Sequence, residues 1–565
     1  MDNYQVAELL EDTAKLMELH GENPFKIRSY QSAAFKIERQ KLKLEGMSAD
    51  ELAALDGIGK SLSQKIHQLL TTGSFNERDE LLRSTPEGVR ELMTIKGIGP
   101  KKVALLWKEL DISSPGELLY ACNENRLVEL KGFGEKTQDS IAASVIFRIS
   151  QRGLFHYATA SRSAEEFLRK TQLKGITSLT ITGELRRKCE VISHLEFLCN
   201  SNELSAVEDI LNDNAAAGYQ QPATNDGLLV SVCPAGIPIK IYPTTETNHT
   251  QKLWETTGNE LHLLQCRELL PSAGIQETVF ATENDIYKAM GIAFIEPEMR
   301  EGINEIAHAV KGTLPVNLIE MADLKGVLHN HSTYSDGLHT LEEMAIACKD
   351  AGYEYLGICD HSRSAGYAGG LSIERVKEQQ EEIKRLNEQL APFRIFSGIE
   401  SDILPDGSLD YPDEILASFD LIVASVHSGL KMDKEKATQR LLTAIRNPYT
   451  TILGHPTGRL LLSREGYPID HDLILQTCAE QGVVVELNAH PYRLDLDWRW
   501  IEKAVEYGVL ISINPDAHSI EGYEDMYYGV CVARKAMLTP ENTFNAKNRE
   551  VINDWFKKRK EKRVP

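Results

Sequence analysis

Apolar residues recur at three- and four-residue spacing from Asn3 to about Ser150, broken by short glycine turns, and this spacing predicts a helical region. From about Gly153 to Leu318 the pattern changes. Short runs such as Ser178-Leu179-Thr180-Ile181-Thr182 and Gly227-Leu228-Leu229-Val230-Ser231-Val232 stand between helical stretches and predict an α+β region. From about Leu324, apolar runs alternate with amphipathic helices: GVLHNHS, YLGICDHS, FRIFSGIESDI, LIVASVHS, TILGHP, VVVELNA and VLISINPDAH. That alternation predicts a parallel α/β barrel-like domain with polar clusters at the C-terminal ends of its strands.

Three of the glycine turns in the helical region are alike. Leu55-Asp56-Gly57-Ile58-Gly59-Lys60, Ile95-Lys96-Gly97-Ile98-Gly99-Pro100 and Leu130-Lys131-Gly132-Phe133-Gly134-Glu135 each follow an apolar helix end and begin another helix, which is a helix-hairpin-helix signature. Glycines let the backbone approach a phosphate, and the amides at the following helix N-terminus point their hydrogens at it, so the contact ignores base sequence. One such turn is equally well explained as a connector between helices. Three copies favour DNA, with Gly57, Gly59, Lys60, Gly97, Gly99, Lys101, Gly132, Gly134 and Lys136 as candidate contacts.

Composition narrows the picture. A chain of 565 residues with 42% hydrophobic and 26% charged residues is an ordinary multidomain protein. It shows no apolar run long enough to span a bilayer and no signal-peptide pattern at its start, so a cytoplasmic protein without membrane contact is expected. The 9 cysteines form no C-x-x-C pair and fit reduced thiols. A net charge of -21 requires any DNA contact to be local. The basic tail at Lys557, Lys558, Arg559, Lys560, Lys562 and Arg563 reads more readily as a solvated helix end than as a binding site.

The chemistry gathers at the barrel strands. Every one of the seven runs except VVVELNA ends in a metal-ligand type: His329, His331 and Asp336; Asp360 and His361; Glu400 and Asp402; His427; His455; Asp516 and His518. Six of the chain's 16 histidines fall at these tips, although any one alone is more readily a core or surface residue. His339, His471 and His490 lie off the tips and are read as structural. Imidazole and carboxylate together suit Mn²⁺, Zn²⁺ or Fe²⁺, and strand ends at one barrel mouth can assemble two to three such divalent ions. Ions so placed activate water and neutralise charge on a phosphoryl group, which is phosphoester hydrolysis.

HNHSTYSDG, CDHS, GIESDI, SVHS, GHP and PDAH resemble the metal motifs of the polymerase and histidinol phosphatase (PHP) superfamily. The resemblance implies one ion on His329, His331, Glu400 and Asp516, a second on Asp336, His361 and His518, and a third on Glu400, His427 and His455, with Glu400 bridging. Arg459 in GHPTGR is then a candidate phosphate contact by charge and location, a structural role being equally open.

NPFKIRSYQSAAFKI, the glycine hairpins, GELRRKCEVISHLEFL and TTGNELH extend the resemblance over essentially the whole chain, to bacterial family X DNA polymerases with a C-terminal PHP domain. It implies a multidomain fold in five parts. These are a lyase-like helical domain at 1–82, a fingers-like helix-hairpin-helix domain at 83–150, an α+β nucleotidyltransferase-like palm at 151–245, a thumb at 246–318, and a distorted (β/α)7-type PHP barrel at 319–565. Lys65 falls where lyase-active relatives carry an amine that attacks an abasic-site sugar, although a solvated or phosphate-contacting lysine explains it equally.

The palm departs from the family. Where the pattern G-S-x-R-R-G-x-x-x-x-G-D-x-D holds two catalytic aspartates, this sequence has His194 and Glu196, and the third acid aligns with Lys240. Glu184 replaces a small hydroxyl residue expected near the triphosphate, which its charge would repel. Histidine and lysine cannot supply the hard oxygens that two magnesium ions need, so nucleotide addition is expected to be lost or very weak. The counter-reading is residual gap-filling supported by Glu196 with Glu190. The expected activity is therefore metal-dependent phosphodiester hydrolysis on gapped, nicked or 3′-ended DNA by a monomer: a 3′-5′ exonuclease, with abasic-site cleavage or 3′-phosphate removal as variants. The competing classes are a DNA-binding scaffold with both centres decayed and a PHP phosphatase acting on small molecules.

Overall fold

The computed structural model describes residues 1–40, 42–123, 126–128, 130, 132–150, 152–270 and 279–561. Lys131 of the third hairpin and Lys562 and Arg563 of the basic tail lie outside them. The chain forms two compact units, Met1–Arg152 and Gly153–Pro565. No described helix is long and apolar enough to cross a membrane.

The first unit is helical and has two cores. One gathers Val6, Leu10, Tyr30, Ile37, Leu52, Ile66, Leu69 and Phe75, the other Val89, Leu92, Val103, Leu106, Leu118, Phe133 and Val145. The helix Asn76–Ser84 crosses the border expected at 82, so a division between the two cores falls after Ser84. All three hairpin turns are present. Their first glycines, Gly57, Gly97 and Gly132, take φ of 81°, 90° and 95°, a left-handed conformation that side-chain-bearing residues rarely adopt. Gly59 and Gly99 then cap the helices Lys60–Thr72 and Pro100–Leu110 without any side-chain hydrogen bond, which leaves the first amides open to an anion.

The second unit carries two sheets that matter here. The palm sheet is built from β2 (Thr180–Thr182), β4 (Leu195–Asn200), β5 (Ala223–Asn225), β6 (Leu228–Val232) and β7 (Pro238–Thr244), in the order β2-β4-β7-β6-β5, and only β4 and β7 pair in parallel. A short hairpin of β1 (Phe155–His156) and β3 (Val191–Ile192) stands beside it. The helices from His249 to Lys311 close on their own core around Trp254, Cys266, Ile286, Tyr287 and Ile295.

The barrel is formed by seven parallel strands: β8 (Gly326–Val327), β9 (Tyr355–Ile358), β10 (Arg394–Asp402), β11 (Leu421–Ser425), β12 (Ile452–Leu453), β13 (Val484–Asn488) and β14 (Ile511–Asn514). They follow in sequence order, and a parallel bridge between Asn330 and Ala517 links the first strand's end to the last. Strands buried on both faces have no polar alternation, which is why their sequences read as continuous apolar runs. The C-terminal helix Arg549–Glu561 is fastened to the barrel by two members of the basic tail. Arg559 donates to the carbonyls of Thr450, Gln481 and Gly482, and Lys560 pairs with Asp420 at 2.7 Å. Those two charges hold the helix in place and are not merely solvated.

Candidate metal centre

Nine of the eleven residues picked out at the strand tips converge at the C-terminal mouth of the barrel. Glu400, near the end of β10, is the hub. Its carboxylate oxygens lie 2.9 Å from His455 Nε2, 3.0 Å from His361 Nδ1, 3.1 Å from His427 Nε2, 3.4 Å from His329 Nε2 and 3.7 Å from His331 Nε2. Three groups could each hold an ion: His331, Asp336, His361 and His518; His329, His331 and Asp516; and His361, Glu400 and His427. The implied three-ion partition differs in detail, because His361 also reaches the Glu400–His427 group and His455 joins none of the three groups, although its Nε2 lies against Glu400.

Several nitrogens are fixed from outside. His329 Nδ1 is bound to Glu486 at 2.7 Å, His427 Nδ1 to Asp402 at 2.5 Å, and His518 Nδ1 to the Asp516 carbonyl at 2.9 Å. Each of these rings therefore turns its other nitrogen inward, the arrangement by which outer carboxylates orient metal-binding imidazoles. Buried inside the cluster, His329 Nε2, His331 Nδ1, Asp336 Oδ1, His361 Nδ1, Glu400 Oε2 and His455 Nδ1 have no hydrogen-bond partner among the described residues. An unpaired buried polar group costs about 1–3 kcal/mol, so six together fit a site built for cations. His455 and Asp516 also adopt φ of 21° and 55°, uncommon for side-chain-bearing residues and of a kind that gathers at functional sites.

The charges agree with the geometry. Burial opposes ionisation of Glu400, Asp516 and Asp336, yet the surrounding imidazoles hold the first two far below the usual carboxylate range and Asp336 at about 2. Burial likewise opposes the charge on His427 and His518, but Glu400 with Asp402, and Asp336 with Asp516, raise them to about 10 and about 9. His331 is pushed down to about 3 by burial and by its neighbours His518 and His361.

Four sequence readings change. Asp360 takes no place in the cluster. Its carboxylate accepts from the amides and hydroxyls of Ser332 and Ser335 and from Gln379, and so pins the loop that carries His331 and Asp336. Asp402 acts on His427 instead of facing the ions. Arg459 is no phosphate contact: its guanidinium is taken up by the Arg493 and Leu494 carbonyls, Asp497 and Glu190. Lys65, in the first unit, is only partly exposed and already has a carboxylate partner. It is ion-paired with Glu77 and lies 2.8 Å from the Tyr30 hydroxyl, while Glu77, against the penalty of burial, is held at about 2 by Lys26, Lys65 and Tyr30.

Two residues escaped the sequence reading. Glu486 sits in VVVELNA, the strand set aside, and besides His329 it accepts from the His455 amide at 2.8 Å and Asn514 at 2.9 Å. The signal was a carboxylate inside a wholly buried apolar strand. Arg493 places Nε 3.8 Å from Asp516, at the edge of the cluster, and among the described residues its guanidinium makes no hydrogen bond. No spacing in the sequence pointed to it.

The palm also brings its expected positions together. Glu196 on β4 is the register partner of Lys240 on β7, and His194 immediately precedes β4. Burial and the Lys240 ammonium push the His194 imidazole below its usual range, against Glu196 and Glu184. Glu196 accepts from the Tyr242 hydroxyl at 2.7 Å, and its carboxylate fills the space where any side chain at Gly183 would lie. Glu184 accepts the Ser193 amide and hydroxyl at 2.6 and 2.7 Å. Glu190, offered as a second acid for residual synthesis, points away into contacts with Arg459, Trp498 and Arg499.

Helix-hairpin-helix modules and a barrel whose strand tips gather histidines and carboxylates that could hold metal ions define a class: a protein with DNA-binding hairpins and a PHP-type barrel. Comparison with known families gives the same outline, matching a helix-hairpin-helix domain at residues 1–75, a SAM-like helix-hairpin-helix tandem at 89–144 and a PHP domain at 328–490. The DNA polymerase/3'-5' exonuclease PolX of Bacillus subtilis (strain 168) is 34% identical over 575 residues, covering 99% of this chain and 100% of that protein. Probable phosphatases match a shorter stretch of the chain. That of Thermoanaerobacter sp. (strain X514) is 27% identical over 42% of this chain and 98% of its own length, and that of Caldanaerobacter subterraneus subsp. tengcongensis is 32% identical over 34% and 74%. The chain belongs to the PolX family, the family X DNA polymerases with a C-terminal PHP domain.

Proposed function

We propose that this protein is a DNA-repair phosphodiesterase that removes nucleotides from DNA 3′ ends at the barrel mouth, and that its polymerase centre is inactive. The observation that carries the reading is the contrast in donors. The barrel cluster gathers six imidazoles and three carboxylates around Glu400, whereas the palm positions meet as His194, Glu196 and Lys240. The ligands would be the nine barrel residues, binding two or three Mn²⁺, Zn²⁺ or Fe²⁺ ions. Bound there, such ions lower the pKa of water and offset phosphoryl charge. The chain's own part is to fix the cluster through Glu486, Asp402 and Asp360, and to present Arg493, whose fork suits a phosphate oxygen pair. The hairpin amides and Lys60, Lys101 and Lys136 would grip gapped, nicked or 3′-ended duplex in the cytoplasm, in a chain divided near 82, 150, 245 and 318 and acting as a monomer.

The palm would contribute no synthesis, since a histidine and a lysine replace two of the three acids and Glu184, which accepts the Ser193 amide, stands where the resemblance implies a small hydroxyl residue. Lyase chemistry at Lys65 is disfavoured, because the amine is already engaged by Glu77 and the Tyr30 hydroxyl and would have to leave both to attack a sugar. Incubation of the purified chain with 3′-labelled DNA and Mn²⁺ tests the reading. Release of label by the wild type and none by His331→Ala is expected. No release, or release that survives the substitution, refutes it. The phosphatase relatives favour a second reading, hydrolysis of a phosphate monoester, and preference for a small monoester over DNA in the same assay would select it.

A further inference from the structure

The palm run Arg186-Arg187-Lys188-Cys189-Glu190 lies in the segment that resembles a nucleotide-binding loop, yet its four charged residues are committed to other parts of the same unit. Arg186 pairs with Glu283 at 2.5 Å, Arg187 with Glu301 at 3.0 Å, and Lys188 with Glu298 at 3.2 Å. Glu298 and Glu301 in turn bind Arg534 and Lys535, at the end of the helix Met526–Lys535 that packs on the barrel. Glu190 reaches the barrel directly, accepting from Arg459 at 2.6 Å, Trp498 Nε1 at 3.0 Å and Arg499 at 3.4 Å.

Arg459 stands four residues beyond His455 in one tight loop. Thr457 of that loop donates its amide and hydroxyl to Asp495, each at 3.0 Å. Arg459 binds the carbonyls of Arg493 and Leu494 and the carboxylate of Asp497. The loop carrying His455 and the loop carrying Arg493 are thus knitted through one largely buried guanidinium, and Glu190 is the carboxylate that the palm contributes to it. A buried charge stripped of a partner is strongly destabilising locally, and outer contacts of this kind set ligand placement within tenths of an ångström.

We propose that Glu190 is a positioning residue of the metal centre, acting through Arg459 on the loops that carry His455 and Arg493. This gives the palm a function that needs none of its missing acids: it buttresses the phosphoesterase site. The inference rests on reading His455 as a metal ligand.

The test is Mn²⁺ binding to the full chain, measured by calorimetry and by metal analysis after gel filtration, for wild type, Glu190→Gln and Trp498→Phe. Glu190→Gln keeps the shape and loses the charge. About tenfold weaker binding of one class of ion is expected, together with a lost ion at limiting Mn²⁺ and a kcat that recovers at saturating Mn²⁺. Trp498→Phe removes one hydrogen bond to Glu190, and a shift of about two- to threefold in the same direction is expected. Unchanged affinity and stoichiometry in folded Glu190→Gln overturn the proposal, and if that variant fails to fold, unchanged binding by Trp498→Phe does so. A wild type that binds no Mn²⁺ overturns the reading of the centre itself and the proposal with it, whereas binding by the wild type that both variants match overturns the proposal alone.

Discussion

In the palm, Glu196 on β4 lies opposite Lys240 on β7 with His194 alongside; in the barrel, Glu400 near the end of β10 lies among five histidines drawn from four loops. Both sites are made the same way, by strand ends that bring residues distant in sequence to one place. The register of a sheet survives changes of side chain, so positions converge whatever chemistry their side chains support. Activity therefore has to be read from donor types. A centre for divalent ions needs oxygens and imidazole nitrogens left without hydrogen-bond partners, and the barrel has six such buried atoms among the described residues. In the palm, Glu196 and Glu184 already accept hydrogen bonds from Tyr242 and Ser193, and Lys240 supplies a cation where an anion is required.

The contrast breaks most visibly at Glu400. Glu400→Gln keeps the volume of the hub and removes its charge, and hydrolysis of 3′-labelled DNA is expected to fall by about 10³-fold or more, since loss of even one charge-stabilising donor costs about 10²–10³ in kcat. Metal analysis of the same variant should show fewer bound ions. A change below tenfold would mean that the chemistry lies elsewhere.

The next effect is one of pH. In the ion-free cluster His427 and His518 hold protons up to about 10 and about 9. Ligation requires neutral imidazole, so ion binding expels those protons. Because both pKa values are raised, Mn²⁺ affinity should climb from pH 7 to about pH 10, by roughly tenfold per pH unit for each proton displaced, with a shallower slope once His518 is neutral above about 9. Calorimetry in two buffers of different ionisation enthalpy counts the protons. Affinity independent of pH would show that the imidazoles are already neutral.

The smallest expected effect concerns the hairpins. Lys60→Ala, Lys101→Ala and Lys136→Ala should each reduce the slope of log K against log salt for duplex binding by about 1 and leave Mn²⁺ binding unchanged, as expected of phosphate contacts. Unaltered slopes would reduce these turns to helix connectors.

How far the sequence disclosed the molecule depended on how local each signal was. The barrel was legible because each strand is an uninterrupted apolar run ending in a polar tip, and the tips of such strands must meet. The hairpins were legible because Gly57, Gly97 and Gly132 mark backbone that few other residues adopt. Glu486 was hidden because it sits within a run dismissed as purely structural, and its role depends on His329, some 157 residues away. Arg459 stayed open between a phosphate contact and a structural role because an arginine close to a ligand motif gives no sign of which way it turns. Only the fold shows that Glu190, Asp497 and two carbonyls enclose it. Lys65 stayed open for the same reason, its partner Glu77 lying on the next helix.

The account turns on one chain having one active centre, and a single reaction can follow both. A 5′-labelled primer on a gapped template, incubated with the full chain, all four dNTPs, Mn²⁺ and Mg²⁺, reports synthesis as longer products and hydrolysis as shorter ones. The account predicts a ladder of shortened primers, abolished by His331→Ala, and no product longer than the input. Extended primers, or shortening that persists in His331→Ala, would contradict it.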